Sequence, residues 1–380
     1  EKAPQEVSGK EFYIPHKAVV RESAATTKIR IVYDASARAS PDAPSLNECL
    51  NPGPSLQNRL WDVLIRQRAY PVAVTGDIRQ AFLQIRVRES ERDALRLHWK
   101  TNEDKEIEIY RFTRALFGLA PSPFLLNGVL QAHLDTWEKE RPEVVAELRK
   151  SLYVDDLVSG GLTTQQAQQN KQESTVILQD ATFQLHKWNS NHRELEDSTN
   201  AGPENEMQTY AKQQLDNKAE GSKMLGLKWD KQRDTLKVVI PVEEAPPTKR
   251  GILGKLARIY DPLGLVAPVT LTGKQIYREV CEAKIPWDTP LNNNLLQVWK
   301  HWEQQLPVEY EVPRSITRYQ EEIKEVELHA FGDASGQGVG AAVYSIVRQR
   351  SGTTQQLVAA KSRLAKKGLT IPRLELVGAH

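Results

Sequence analysis

The sequence predicts an α+β fold, and three observations carry that expectation. Short apolar runs of strand character, such as Val72-Ala-Val-Thr-Gly76, alternate along the chain with segments of helical spacing. Strand candidates come in neighbouring pairs, at 96–99 with 107–112 and at 224–229 with 235–241, which suits antiparallel sheet better than a regular parallel one. A length of 380 residues with 39% hydrophobic and 26% charged side chains provides for two or three domains with buried cores. The mean hydropathy is −0.53. No apolar run approaches the ~18 residues of a membrane span, so a membrane partner is not expected.

In chain order, residues 12–34 read as strands, with Ile29, Ile31 and Tyr33 alternating. Pro41, Pro44, Pro52, Gly53 and Pro54 make 41–58 turn-rich, and Leu56, Leu60, Val63 and Leu64 then mark one face of a helix over about 56–68. The apolar strand 71–76 follows, then the pair at 96–99 and 107–112, then a helix from Pro123 to about Glu138. Residues 151–161 run apolar, Asp-Asp, apolar, Gly-Gly, and a Gln-rich helix is expected from Thr164 to about Gln179. The polar stretch 189–222 reads as a long loop or insertion. A hairpin (Met224 to Trp229, Thr235 to Pro241) leads to a mostly helical segment around the turn Asp261-Pro-Leu-Gly264, and from about Val326 the alternation signals strands joined at Asp333-Ala-Ser-Gly336.

Lys plus Arg (51) nearly balance Asp plus Glu (49), so a basic footprint must be local. The excess is +3 over 12–38, and seven basic residues face three acidic ones over 249–284. That second segment suits attraction to duplex phosphates, though an ordinary helical surface would look the same. The two cysteines, Cys49 and Cys281, lack zinc-ligand spacing and point to a reducing, intracellular setting. The chain opens at Glu1 without a methionine or a signal-peptide pattern, which reads as a segment of a longer protein.

The strongest chemical feature is Tyr153-Val-Asp155-Asp156, set between apolar residues. Two adjacent carboxylates at the tip of an apolar hairpin repel each other and bear a desolvation cost that a divalent cation removes, although most surface Asp-Asp pairs are solvated turns. A third carboxylate, Asp77, closes the apolar run ending at Gly76. Three carboxylates at two strand ends can hold two Mg²⁺ (or Mn²⁺) about 4 Å apart, one activating an attacking hydroxyl and one stabilising a leaving pyrophosphate. Phe82 follows Asp77 by five positions, and Phe117-Gly118 opens a glycine turn that precedes a Pro-started helix at Ser122-Pro123-Phe124.

At this point the chain resembles reverse transcriptases, most closely the reverse transcriptase region of the Pol polyprotein of BEL/Pao-type long-terminal-repeat retrotransposons. The likeness runs from about Phe12 to the end, through Arg30-Ile-Val-Tyr-Asp34, Asp77-Ile-Arg-Gln-Ala-Phe82, Phe117-Gly118, Tyr153-Val-Asp-Asp156 and Leu225-Gly-Leu-Lys-Trp229 in order. It implies a right-hand polymerase (fingers, palm, thumb) followed by a truncated ribonuclease-H-like α/β domain. Its expected divisions are fingers and palm over 1–190, a polar loop or insertion over 191–222, primer grip, connection and thumb over 223–325, and the start of the ribonuclease-H-like domain over 326–380.

By the same resemblance, Asp77, Asp155 and Asp156 are the metal-binding catalytic triad and the Ile78 carbonyl an extra ligand. Arg30 holds the incoming triphosphate, where a guanidinium fork suits phosphate oxygens. Phe82 stacks under the deoxyribose and excludes a 2′-hydroxyl. Phe117 stands where retroviruses carry glutamine and shapes the nucleotide pocket with Gly118. Lys187 is a candidate proton donor to pyrophosphate, a snorkelling surface lysine being the alternative. Leu225, Gly226 and Trp229 form the primer grip, although packing alone would also explain an apolar hairpin there. Ile259 to Val266 matches a segment that follows the palm. Asp333, in Phe331-Gly-Asp333-Ala-Ser335, and Glu375, in Pro372-Arg-Leu-Glu375-Leu376, match an incomplete ribonuclease H set. The chain stops at His380 before the later carboxylates, so no ribonuclease H activity is expected.

The resemblance also implies dNTP, an RNA or DNA template-primer duplex and other parts of Pol as partners, in a cytoplasmic virus-like particle. The alternative is a catalytically inactive nucleic-acid-binding relic or fragment. An aspartic protease is disfavoured because neither Asp-Thr-Gly nor Asp-Ser-Gly occurs. An RNA-templated RNA polymerase is disfavoured by Phe82.

Overall fold

The computed structural model describes residues 1–7, 10–20, 29–100, 106–197 and 222–380, with the side chains at 29 and 30 outside that description. At its centre lies a four-stranded antiparallel sheet in the order Leu152–Tyr153, Asp156–Gly161, Val72–Ile78, Leu185–Ser190. The Val72–Ile78 strand has both faces covered, which is why its sequence is a continuous apolar run instead of an alternation. Val72, Val74 and Ile78 enter one core with Leu126, Leu130, Leu148 and Ile177 from the covering helices. Ala73, on the other face, joins a second core with Val63, Leu64, Trp229 and Leu236.

The covering helices are Ser122–Trp137, Pro142–Ser151 and Thr164–Asp180. The first starts with a proline in its opening turn and buries Leu126, Leu130 and Leu134 at a spacing of four. Thr163 caps the third by accepting the Gln166 N–H at 3.2 Å. Sequence reading missed the middle one, although Pro142 in its first turn and Arg149 and Lys150 in its last are start and stop signals. The helix expected from Leu56 begins at Leu60. Before it, the Asn58 amide donates to the carbonyls of Arg149 (2.7 Å) and Leu152 (2.8 Å) and holds that stretch against the sheet.

The strands His16–Val20 with Ile29–Tyr33, and Arg96–Trp99 with Glu108–Arg111, pair antiparallel. In the 189–222 stretch, residues 189–190 complete the Leu185–Ser190 strand and 193–195 make one 3₁₀ turn, while 198–221 lie outside the described residues. The expected hairpin at 224–241 is instead three strands, Ser222–Met224, Leu227–Asp230 and Thr235–Val239, joined by a fourth, Glu309–Pro313. Leu225 (φ 46°) and Gly226 (φ 89°) make the two-residue turn that splits the first of them, with the paired positive φ values of a tight hairpin.

Helices Lys249–Arg258 and Ala267–Glu282 flank the turn at Asp261 as expected, and Asn293–Gln304 packs on them through Trp299 and Trp302. The Asp261 carboxylate accepts the N–H groups of Leu265 and Val266, both at 2.8 Å, and so satisfies donors entering the second helix. Burial pushes its carboxyl above the ordinary carboxylate range against those bonds. Gly264 has φ +70°, and a Cβ there would lie 1.8 Å from the Ala360 carbonyl oxygen, while Ala360 N–H donates to Leu263 O at 2.8 Å. Gly264→Ala therefore lowers stability by more than about 1 kcal/mol through the left-handed backbone alone, with the collision added, and urea unfolding measures it.

The last sheet has three antiparallel strands, Ile323–Ala334, Gly338–Gln349 and Gly352–Leu364, followed by the helix Ile371–Ala379. The first strand runs through Asp333 to Ala334, so the turn expected at 333–336 falls one to two residues later, where Ser335 N–H donates to Gly338 O at 2.9 Å.

Candidate active site

Pairing across the central sheet brings the three acidic residues together. Asp77 faces Asp156 directly in the ladder, and Ile78 N–H donates to the Asp155 carbonyl at 2.8 Å, which ties the hairpin tip to the neighbouring strand. The tip is a two-residue loop between the paired Tyr153 and Asp156. Its first residue, Val154, has φ 55°, a left-handed conformation that a β-branched side chain adopts only under strain. One carboxylate oxygen from each of Asp77, Asp155 and Asp156 lies within 4.8 Å of the others. Asp155 is buried, the other two half-buried. Three hard oxygen donors so close, with one nearly out of water, fit a divalent cation.

Asp77 is flanked on its other side by His186, its ladder partner, whose Nε2 stands 3.5 Å from Asp77 Oδ2. The ladder then slips: Asp77 pairs with His186 and Thr75 with Asn189, so Lys187 and Trp188 together oppose Gly76. This is a β-bulge, with Lys187 at φ 53°, and bulges re-aim side chains. Trp188 packs over Gly76, where a Cβ would come 3.1 Å from the ring. Lys187 borders a cleft of about 180 Å³ together with Asp77, Asp156, Lys223, Met224 and Leu225. Nothing in the sequence marked Lys223 for that place, and the bulge that turns Lys187 toward it has no periodic signature.

The remaining candidates fall into three groups. Phe82, 3% exposed, and Phe117 meet edge to face, ring centroids 4.8 Å apart and planes at 73°. Gly118 follows at φ 89°, near the Tyr33 carbonyl at the end of the Ile29–Tyr33 strand. Arg30 lies in that strand opposite Val19, its side chain outside the described residues. In the Leu225–Trp229 segment, Leu225 lines the cleft and its carbonyl accepts the Tyr260 hydroxyl at 2.8 Å. Trp229 is 1% exposed in the second core, its Nε1 donating to Asp234 at 3.0 Å. Burial pushes the Tyr260 hydroxyl up to about 12 and also raises that of Tyr153, which stands beside the aspartates. Asp333 lies near the end of the Ile323–Ala334 strand and Glu375 in the helix Ile371–Ala379, where its Oε1 accepts the N–H of Ala334, the residue after Asp333, at 3.3 Å.

The basic segment 249–284 spends much of its charge internally. Lys255 is buried against Glu303, Arg250 pairs with Asp288 at 2.7 Å, Arg258 with Glu243 at 3.2 Å, and Arg278 donates to the Ala365 carbonyl at 2.8 Å. Lys249 lies over the Trp287 ring at 4.8 Å. Fewer cations are left for phosphates than the count of seven suggests.

A family model described as reverse transcriptase (RNA-dependent DNA polymerase) matches residues 25–226, and one described as Pao retrotransposon-like RNaseH-like domain matches residues 248–380. The second match takes in the helices after the cleft as well as the last sheet. No curated protein matches the chain. All three clustered aspartates fall inside the first match, which spans more than half of the sequence, and the chain belongs to the reverse transcriptase family, joined to the RNaseH-like domain of Pao retrotransposons.

Proposed function

We propose that the chain is an active RNA-directed DNA polymerase, in which a primer 3′-hydroxyl attacks the α-phosphorus of a template-paired dNTP and pyrophosphate leaves. The observation that carries this reading is the convergence of Asp77, Asp155 and Asp156 at the ends of paired strands, oxygens within 4.8 Å. Mg²⁺ or Mn²⁺ held by these carboxylates supplies Lewis-acid activation of the hydroxyl and charge neutralisation at the departing pyrophosphate.

The chain's own residues do the rest. The hairpin tip and the central strand fix the three carboxylates before substrate arrives, so little reorganisation is left to the reaction. The Phe82 ring fills the space that a ribose 2′-hydroxyl would need. Arg30 holds the triphosphate, with Gly118 letting backbone approach the nucleotide. Leu225 and its tight turn, bordering the cleft beside Asp77, support the primer end, and Lys187 and Lys223 add positive charge there. We assign 1–190 to fingers and palm, 191–222 to an insertion, 223–325 to primer grip, connection and thumb, and 326–380 to the ribonuclease-H-like part. The setting is a cytoplasmic particle with other Pol segments as partners.

The test is extension of oligo(dT) annealed to poly(rA) with dTTP and Mg²⁺. A ladder of products that requires the template is the expected result, and no extension by a folded chain that binds the duplex overturns the reading.

A further inference from the structure

We propose that Phe117 is a specificity-determining positioning residue: its ring fixes the orientation of Phe82 and so sets how strongly the site rejects ribonucleotides. This rests on the polymerase reading, in which Phe82 lies beneath the sugar of the incoming nucleotide.

The two rings touch edge to face at 4.8 Å, and each backbone is pinned independently. Phe82 sits in the single-turn helix Ala81–Gln84, where Leu83 N–H donates to Gln80 O at 2.8 Å and Ile85 N–H to Phe82 O at 3.1 Å. On the other side, the Ser122 hydroxyl donates to the Leu116 carbonyl at 2.6 Å, and the Asn47 amide donates to the Gly118 carbonyl at 2.8 Å. The Asn47 side-chain oxygen accepts the Ala120 N–H at 2.8 Å. Phe117 is thus held immediately before and after its own position. Asn47 is itself fixed in the Leu46–Cys49 turn, which Ser45 and Glu48 close with reciprocal caps.

With both backbones fixed, the Phe82 ring keeps only its side-chain torsions, and the Phe117 ring stands across them. A phenyl group has no hydrogen bond to offer, so what it contributes here is shape and ring quadrupole. Rejection of one hydroxyl by a wall of carbon depends on where that wall stands to within about 1 Å. A smaller residue at 117 opens space beside Phe82 and lets its ring turn away from the sugar. Phe117 then acts on substrate choice through Phe82, without itself meeting the 2′-hydroxyl.

The experiment compares kcat/KM for UTP and dTTP on poly(rA)/oligo(dT). Phe117→Leu is expected to raise the UTP-to-dTTP ratio about tenfold. Phe117→Tyr, which keeps the ring, holds the ratio of the unaltered chain. Phe82→Val raises the ratio by itself, and adding Phe117→Leu to it raises the ratio no further, because the two act through one ring. Asn47→Ala frees the loop without altering either ring and shifts the ratio the same way, which decides the matter if Phe117→Leu does not fold. A ratio unmoved by Phe117→Leu or by Asn47→Ala, or additive effects in the double variant, overturns the inference while dTTP incorporation continues. No dTTP incorporation by the unaltered chain instead overturns the polymerase reading, and this inference with it.

Discussion

Replacing Asp155 with asparagine lowers primer extension by at least about 10³-fold while leaving the chain folded. Asp155 is the most buried of the three aspartates, at 9% exposed, and its carboxylate lies against two others. Asparagine keeps the volume and one oxygen but removes the negative charge that a divalent cation needs. The backbone bond from Ile78 N–H to the Asp155 carbonyl does not involve the side chain and persists. Because the substitution also relieves repulsion among the carboxylates, the urea midpoint should stay level or rise as activity disappears, the usual trade between a strained site and stability. Mn²⁺ binding followed by electron paramagnetic resonance should weaken in parallel. A folded variant that still extends primers at a tenth of the normal rate or better contradicts the assignment.

Asp234→Ala has the largest expected effect on stability. Asp234 receives the fully buried Arg314 through Nε at 2.6 Å and Nη2 at 2.7 Å, and also accepts Trp229 Nε1 at 3.0 Å. Arg314 spends its remaining donors on the carbonyls of Gln67, Tyr70 and Pro71. Beside it, the equally buried Arg68 donates to the carbonyls of Pro313, Arg314, Leu357 and Val358, so the pair binds the Leu60–Arg68 helix to the second sheet and to the last one. Burial, then the nearby charge of Arg314, pushes the Arg68 guanidinium down to about 10. Asp234 therefore supplies the counter-charge to Arg314, while Arg68 is met by main-chain carbonyls. Removing it leaves Arg314 without a counter-charge and costs about 3–5 kcal/mol, read from urea unfolding. Asp234→Asn keeps a residue that tolerates the φ of 50° found there, and separates lost charge from backbone strain.

What the sequence made legible follows from local physics. The central strand, the Asp-Asp hairpin and the helix at Pro123 each carry their own signal, an apolar run, flanking apolar residues or a proline at the first turn, so their places were readable without tertiary information. The convergence of Asp77 with Asp155 and Asp156 was an inference from matching context, and the ladder pairing of Asp77 with Asp156 supplies its geometry. What could not be read is set by distant partners. An arginine in a sequence reads as surface, and the burial of Arg68 and Arg314 depends on carbonyls some 245 residues away. The bulge at Lys187 and the tight turn at Leu225 place bulky residues in left-handed conformations that propensity assigns to glycine or asparagine. Trp229 looked like a contact residue because it ends a motif, yet its alternation with Leu227 points both into the core.

The measurement that bears most directly on the central claim is primer extension on poly(rA)/oligo(dT) by the unaltered chain and by its Asp155→Asn/Asp156→Asn variant, with duplex affinity measured beside it. The account predicts extension by the first, none by the second, and equal or tighter duplex binding by the variant, since it carries two fewer negative charges. Equal extension by both would contradict the account, because it would place the chemistry away from these carboxylates.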